Sequence, residues 1–418
     1  MGMKWTEEQS KVITLRDRNI LVSAAAGSGK TAVLVQRILS KIMDPDRPVD
    51  IDRLLIMTFT RAAAGEMKER ISNAIDQALY ENPDNEHLQR QAALIHNAQI
   101  TTIDGFCSYI IRNYFHMVEL DPGYRTAEEG ELKLLQEDVM KDLLEEAYEK
   151  ADPKFLSLVE CYASGKSDDE IRDMVYKLYQ AAMSHPYPEE WLEECMEVYR
   201  VQTIEELRET SWIQLLWETL DEKLDQAEAL TESARKICNE PDGPYFYDEA
   251  LVDDLNFWRE VRRCRETKDY DKVADILSGH TFAKLSAKRD SSIDPVKKEQ
   301  AKELRDEEKE ICKDLSTKFF NQKEEILLEL IGCSRETLEG LVELTLQFKE
   351  AFSSKKREKN LLDFTDMEHF ALQILMTKEG EEIHMSQAAR ELSAKYDEVL
   401  VDEYQDSNLV QELLTTAV

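Results

Sequence analysis

Ser23-Ala24-Ala25-Ala26-Gly27-Ser28-Gly29-Lys30-Thr31 follows a short apolar run, 19–22, and precedes an amphipathic run, 32–42. The pattern reads as strand, tight loop, helix, which is the setting a phosphate-binding loop requires. Glycines let backbone N–H groups turn inward around phosphate oxygens, and the helix that follows adds its positive N-terminal end. In such a loop Lys30 reaches the β- and γ-phosphates of a nucleoside triphosphate, and the Thr31 hydroxyl ligates Mg2+. Ala24 replaces the first glycine of the G-x-x-x-x-G-K-T spacing, and its small size keeps the turn feasible. A plain Ala/Gly-rich helix cap with a chance Lys-Thr would account for the glycines but not for the flanking patterns.

Toward the N-terminus, Trp5-Thr6-Glu7-Glu8-Gln9 opens a helix with Thr6 as N-cap and Gln9 three residues on. Gln9 either completes a capping box or offers a paired donor and acceptor that match the edge of adenine. Toward the C-terminus, a second apolar run, 54–58, enters Phe59-Thr60-Arg61 and a helix. A third, 99–103, enters Asp104-Gly105-Phe106-Cys107, with a helix expected from Ser108 to about Met117. Ligands of open α/β sheets sit at the carboxyl ends of the strands. An aromatic ring, a hydroxyl and a guanidinium there form the mixture that a single-strand binder uses, while a buried Phe and a solvated Arg are the plain structural reading. Near the end, Glu398-Val399-Leu400-Val401 reads as a strand that finishes in Asp402-Glu403, followed by Tyr404-Gln405-Asp406-Ser407. A carboxylate at a strand end beside a phosphate loop holds Mg2+, and a second can accept the proton of the attacking water.

The middle of the chain has helical spacing and almost no strand signal, as in Leu132, Leu135, Val139, Leu143 and Leu144 and again from Ile326 to Phe348. Breaks fall near 184–188, 239–244 and 286–295. The lysines of 297–323 are laced with glutamates at helical spacing, which marks a solvated face. The net charge of −33 is segregated: residues 1–120 carry 14 Lys/Arg and 15 Asp/Glu, whereas the other 298 carry 39 and 71. A near-neutral first block can present a local basic groove that the acidic remainder cannot. Seven scattered cysteines without C-x-x-C spacing give neither a disulfide framework nor a zinc site. No run approaches the apolar length of a membrane span and no signal peptide is apparent, so a cytoplasmic protein without membrane contact is expected.

With these clusters in this order, the chain resembles the N-terminal part of superfamily 1 DNA helicases of the UvrD/Rep/PcrA type. Within that group it is most similar to the AddA (RexA) subunits of bacterial AddAB helicase-nucleases. The resemblance spans essentially the whole chain: 5–9 match the Q motif, 24–31 motif I, 55–71 motif Ia, 101–107 motif Ib, Asp363-Phe364-Thr365-Asp366-Met367 the D-F-x-D-L element, and 401–407 motif II. Arg61 stands where the family often has Asn, and Asp104-Gly105 where it often has His-Ser.

The resemblance implies an α/β fold: a RecA-like P-loop NTPase motor domain with a parallel sheet, formed by 1–118 plus 355–418 and interrupted by a mostly helical accessory insertion, 119–354. It implies ATP and Mg2+ as cofactors. Gln9, residues 24–31 (Ala24, Ala25, Ala26, Gly27, Ser28, Gly29, Lys30 and Thr31) and Arg37 would bind the nucleotide, and Thr31 and Asp402 the metal. Glu403 would orient and deprotonate water, with Lys30 and Gln405 completing the catalytic set. Phe59, Thr60, Arg61, Thr102, Asp104 and Phe106 would contact DNA. It further implies single- and double-stranded DNA as partners, an AddB-like partner protein, and a role in processing double-strand breaks for recombinational repair. Since motif II lies about a dozen residues from Val418, the later motifs, second motor domain and nuclease fall outside these residues, and the isolated chain is expected to hydrolyse ATP weakly or not at all. Two rivals stand beside this reading. A P-loop NTPase of another class would explain motifs I and II but not the clusters at 59–61 and 104–106, and an inactive DNA- or partner-binding fragment would need no turnover.

Overall fold

Before the helical middle, the chain runs through α1 (Glu7–Thr14), α2 (Lys30–Ile42), β1 (Leu54–Thr58), α3 (Arg61–Glu81), α4 (Glu86–Leu94), β2 (Gln99–Thr102) and α5 (Ile103–Tyr114). A two-residue β3 (Arg125–Thr126) precedes the helices α6 (Glu129–Lys150), α7 (Pro153–Tyr162), α8 (Asp169–Met183), α9 (Pro188–Glu197) and α10 (Ile204–Glu209). They continue through α11 (Ser211–Cys238), α12 (Asp248–Glu266), α13 (Tyr270–Gly279), α14 (Pro295–Asp314) and α15 (Glu324–Glu358). The last stretch holds β4 (Leu361–Leu362), α16 (Phe364–Leu375), the hairpin β5 (Met376–Glu379) and β6 (Glu382–Met385), α17 (Gln387–Lys395), β7 (Glu398–Val401) and α18 (Leu409–Thr416). The structure is a computed structural model that describes residues 4–418 apart from 26, 119, 164–166, 289 and 381.

The protein is rich in helix and carries a small parallel sheet of order β2-β1-β7, in which Met57 lies opposite both Thr101 and Val401. A strand between two parallel neighbours, with helices on both faces, must be apolar throughout. Leu54, Leu55, Ile56 and Met57 are accordingly all fully buried. Successive side chains point to opposite faces. Leu54 and Ile56 therefore pack with Ile38, Ile42, Met67 and Ile71 from α2 and α3, while Leu55 and Met57 pack with Ile103, Ile110 and Leu375 from α5 and α16.

The apolar run 19–22 departs from its expected strand. No strand among the described residues pairs with it, and Leu21 and Val22 are 82% and 44% exposed. Extended backbone without a neighbour gains no ladder hydrogen bonds, so apolar content alone does not make a strand.

Two compact units divide the chain: one of 1–150, 172–191 and 344–418, the other of 151–171 and 192–343. The expected boundaries at 118/119 and 354/355 are corrected by this division. In the first unit β3 pairs with β4, Tyr176 donates to the Gln136 carbonyl at 3.2 Å, and the Tyr179 ring meets Phe348 edge-on at 5.3 Å. Sections of α6, α8 and α15 thus belong with the sheet. Apolar helical spacing is the same in both units, so it carries no mark of the boundary.

The second unit is built on α11, α12 and α14, with Trp258 at its centre, fully buried. Its indole N–H donates to Glu308 at 2.6 Å, and one turn away Arg305 forms a forked, fully buried pair with Asp254 at 2.6 and 3.1 Å. Burial pushes the Glu308 carboxyl up to about 7, with Asp254 adding to the rise while the Trp258 and Thr231 donors and Arg305 oppose it. The folded state therefore holds a proton that the unfolded state releases near pH 4.5. Stability contributed by this group is full below that value, declines as pH rises toward about 7, and levels off above. Glu308→Gln should flatten this decline. Thermal melts of the two proteins between pH 5 and 8 check it, with an expected difference in slope on the order of a few degrees over that range.

Candidate functional site: a phosphate loop facing paired acids

The loop before α2 has the backbone that its glycines permit. Gly27 and Gly29 have φ of 77° and 82°, the left-handed region that disfavours a Cβ, and Gly29 caps α2. Ser28 N–H bonds back to the Ala25 carbonyl at 3.2 Å, closing a turn, and Ala24 and Ala25 are exposed beside it. Ala26 lies outside the described residues. Lys30 and Thr31 form the first turn of α2, where free N–H groups and the helix dipole favour an anion.

Gln9 meets both readings of it. Its carbonyl accepts from Thr6 N–H at 2.9 Å in a reciprocal capping box, and its amide donates to the Ser28 carbonyl of the phosphate loop at 3.1 Å. The sequence therefore tethers α1 to the loop through the one side chain proposed to meet adenine.

Strand β7 delivers the acids. The Asp402 N–H still bonds to the Met57 carbonyl at 2.9 Å, so the carboxylates emerge just past the end of the sheet. Glu403 has φ 53° and ψ 41°, a left-handed conformation that costs a non-glycine residue about 1–2 kcal/mol. Strain of this kind clusters at functional sites. It turns Glu403 toward the loop: its carboxylate lies 3.6 Å from Lys30 Nζ and accepts from the Gln405 amide at 2.6 Å. The Gln405 amide, and after it the Lys30 ammonium, hold the Glu403 carboxyl below its usual range, so it is ionised at neutral pH. Residues 373 apart in sequence are thus adjacent: a lysine at a helix N-terminus, a threonine hydroxyl and two carboxylates. Two protein oxygens, from Thr31 and Asp402, suit Mg2+, which is bound through few protein ligands with phosphate oxygens and water supplying the rest. Accordingly, no cluster of three or more His, Cys, Asp or Glu occurs among the described residues.

The other strands end on the same edge, because all three run parallel. Past β1, Thr60 accepts from Ala63 N–H as the N-cap of α3, and Phe59 and Arg61 are exposed, Phe59 to 43%. Past β2, Thr102 caps α5 by accepting from Gly105 N–H at 3.1 Å. Helix α5 begins five residues earlier than expected, and this overturns one assignment. Phe106 is 1% exposed and packs against Tyr109 and Tyr396, so it belongs to the core and has no free face for a base. Thr102 is buried and engaged in its cap. Asp104 is half-buried: burial pushes its carboxyl up, and the nearby Arg61 charge pulls it down. Phe59, Thr60 and Arg61 keep the accessibility that a DNA contact needs.

Arg37 is the second correction. It is 5% exposed, pairs with Glu398 at 2.6 Å, and donates to the carbonyls of Val12 and Leu15, so its donors are spent inside the fold. Lys41 also pairs with Glu398. Glu398, a lone acid opening an apolar strand, is the signal that sequence reading passed over. It ties α2, behind the phosphate loop, to the strand that carries the acids. Glu398→Ala should leave two buried cations uncompensated and cost about 3–5 kcal/mol, read by urea denaturation. Lys356, in the basic run 355–359, is likewise buried and donates to Asp363 and Asp366 at 2.7 Å each, while those two acids cap α16 reciprocally. The D-F-x-D-M stretch is thereby a clasp at a helix start.

Residues 5–418 match the family described as the UvrD/REP helicase N-terminal domain. Among curated relatives, the AddA chain of the ATP-dependent helicase/nuclease of Lachnoclostridium phytofermentans is 46% identical over 416 residues, covering 99% of this chain and 30% of the relative. The corresponding helicase/nuclease subunits of Clostridium perfringens and Bacillus pumilus are 42% and 37% identical, covering 100% and 99% of this chain and 33% and 34% of theirs. The chain therefore spans about a third of the length of the curated relatives it matches. No helix among the described residues is long and apolar enough to cross a membrane. Taken with the loop, the acids and the strand ends that face them, the match across residues 5–418 means that the chain belongs to the UvrD/REP helicase N-terminal domain family.

Proposed function

We propose that this chain is the ATP-binding motor portion of a DNA helicase that works within a helicase-nuclease processing double-strand breaks. The observation that carries the reading is the approach of Lys30 to Glu403, 3.6 Å apart, at the edge where three parallel strands end. In this reading the sheet and its helices form a RecA-like motor domain, and the second unit is the accessory insertion. Loop N–H groups and Lys30 hold the phosphates of ATP, and Gln9 meets adenine by redirecting the amide that now bonds to Ser28. Thr31 and Asp402 hold Mg2+, which would neutralise charge between the β- and γ-phosphates. Glu403 takes the proton of the attacking water, and its ionised state suits it to that task. Gln405, bonded to Glu403, senses the γ-phosphate. Phe59 stacks on a base of single-stranded DNA while Thr60 and Arg61 hold the backbone.

Relatives named as one subunit of a helicase/nuclease support a partner protein of the AddB kind and a cytoplasmic site of action. DNA binding without base readout should weaken steeply with salt. The test is ATP hydrolysis by the purified chain with and without single-stranded DNA, using Lys30→Ala as control. Nucleotide binding that depends on Lys30, with turnover weak or absent in the isolated chain and raised by DNA where present, is the expected result. Nucleotide and DNA binding indifferent to Lys30 and Phe59 would overturn the assignment.

A further inference from the structure

Behind the edge that carries the acids lies a buried carboxyl to which the motifs assign nothing. Glu368, on α16, is 5% exposed and accepts from the Gln411 amide at 2.6 Å and from the Asn408 side chain. Asn408 is the N-cap of α18, and Gln411 closes its capping box. The acids 402–403 and Gln405 lead into that cap through a single turn, 404–406, so whatever fixes Asn408 fixes the far end of the acidic loop. A carboxyl at this position also meets the positive N-terminal end of α18.

The same carboxyl looks the other way. Helix α16 packs against α5 as well as α18. The Glu368 carboxyl is pushed up to about 7, by burial first, against the Gln411 and Asn408 donors, with Asp104 and then Asp363 adding to the rise. Cys107, one turn along α5 from Asp104, feels both carboxyls. Asp363 is itself clasped by Lys356, and Asp104 is faced by Arg61, so Glu368 and Asp104 are the pair left to sense one another. Helices α5, α16 and α18 thus meet at one side chain. On one side is the loop that faces the phosphates, on the other the helix entry beside Arg61.

We propose that Glu368 is a positioning residue that couples the acidic loop 402–407 to the DNA-facing entry of α5, so that a shift of α18 driven by nucleotide at Glu403 is transmitted to Asp104 and Arg61. The inference rests on the ATP and DNA reading given above. Coupling of this kind is established by a measured dependence of one affinity on the other ligand, and spatial intermediacy alone does not establish it.

The experiment measures the affinity of the chain for a fluorescent oligothymidylate, with and without a non-hydrolysable ATP analogue and Mg2+. The ratio of the two affinities is the coupling. A wild-type ratio of at least about 5 is expected. Glu368→Leu and Gln411→Leu should each bring the ratio toward 1 while the affinity for nucleotide alone stays within about threefold of wild type. Glu368→Gln should keep the ratio, because its amide oxygen still accepts from Gln411. A ratio unchanged in both leucine variants overturns the proposal. So does loss of nucleotide affinity or of melting temperature in step with the ratio, since a merely structural role would produce that. Wild-type protein that binds both ligands with a ratio of 1 removes the coupling role and leaves the functional reading standing. Absence of Lys30-dependent nucleotide binding overturns the functional reading and the inference together.

Discussion

Lys30→Ala should reduce affinity for Mg2+-ATP by about 100-fold, measured by titration with a fluorescent ATP analogue. The ammonium stands in the first turn of α2, where loop N–H groups and the helix end already favour phosphate. Charge-assisted hydrogen bonds contribute about 1.5–3 kcal/mol each, and 2.7 kcal/mol is about 100-fold in a binding constant. A second effect acts in the same direction. In the wild type Lys30 lies 3.6 Å from Glu403 and offsets its charge, so the alanine variant confronts the incoming phosphates with an uncompensated carboxylate. Lys30→Arg should recover only part of the loss, because a guanidinium is broader than the ammonium the loop has room for.

Glu403→Gln should do the opposite to binding and more to chemistry. Nucleotide affinity should stay equal or rise slightly, since a negative charge leaves the phosphate edge. DNA-stimulated turnover should fall by about 10²–10⁴-fold, the range for removal of a positioned general base. Steady-state hydrolysis alongside the binding titration separates the two variants: one loses the ligand and the other keeps it unreacted. The substitution should also slacken Gln405, whose amide now bonds to the Glu403 carboxylate at 2.6 Å.

The strands that carry the site were legible because their burial on both faces leaves nothing but apolar residues: 54–58 and 398–401 fall where the sequence puts them. The phosphate loop was legible because only glycine freely takes the conformation found at 27 and 29. The run 19–22 is just as apolar as those strands, yet a strand depends on a partner that composition does not reveal. Phe106 and Arg37 misled for a common reason. A short motif gives a residue's position along the chain but not the face of the helix it occupies, and helix α5, starting at Ile103, turns Phe106 into the core. Glu398, Lys356 and Glu368 went unread because a buried charge looks like a surface charge until its partners, up to 361 residues away, are brought beside it. The split between units was hidden because helices on either side of it bury the same kind of stripe.

The most direct measurement of the central claim is a crystal structure of this chain with Mg2+ and a non-hydrolysable ATP analogue. The account predicts phosphates cradled by the backbone N–H groups of 27–31, the metal held by Thr31 and by Asp402 directly or through water, and Glu403 released from Lys30 to face the γ-phosphate. Nucleotide bound elsewhere on the chain, or phosphates that leave Lys30 paired with Glu403, would contradict it.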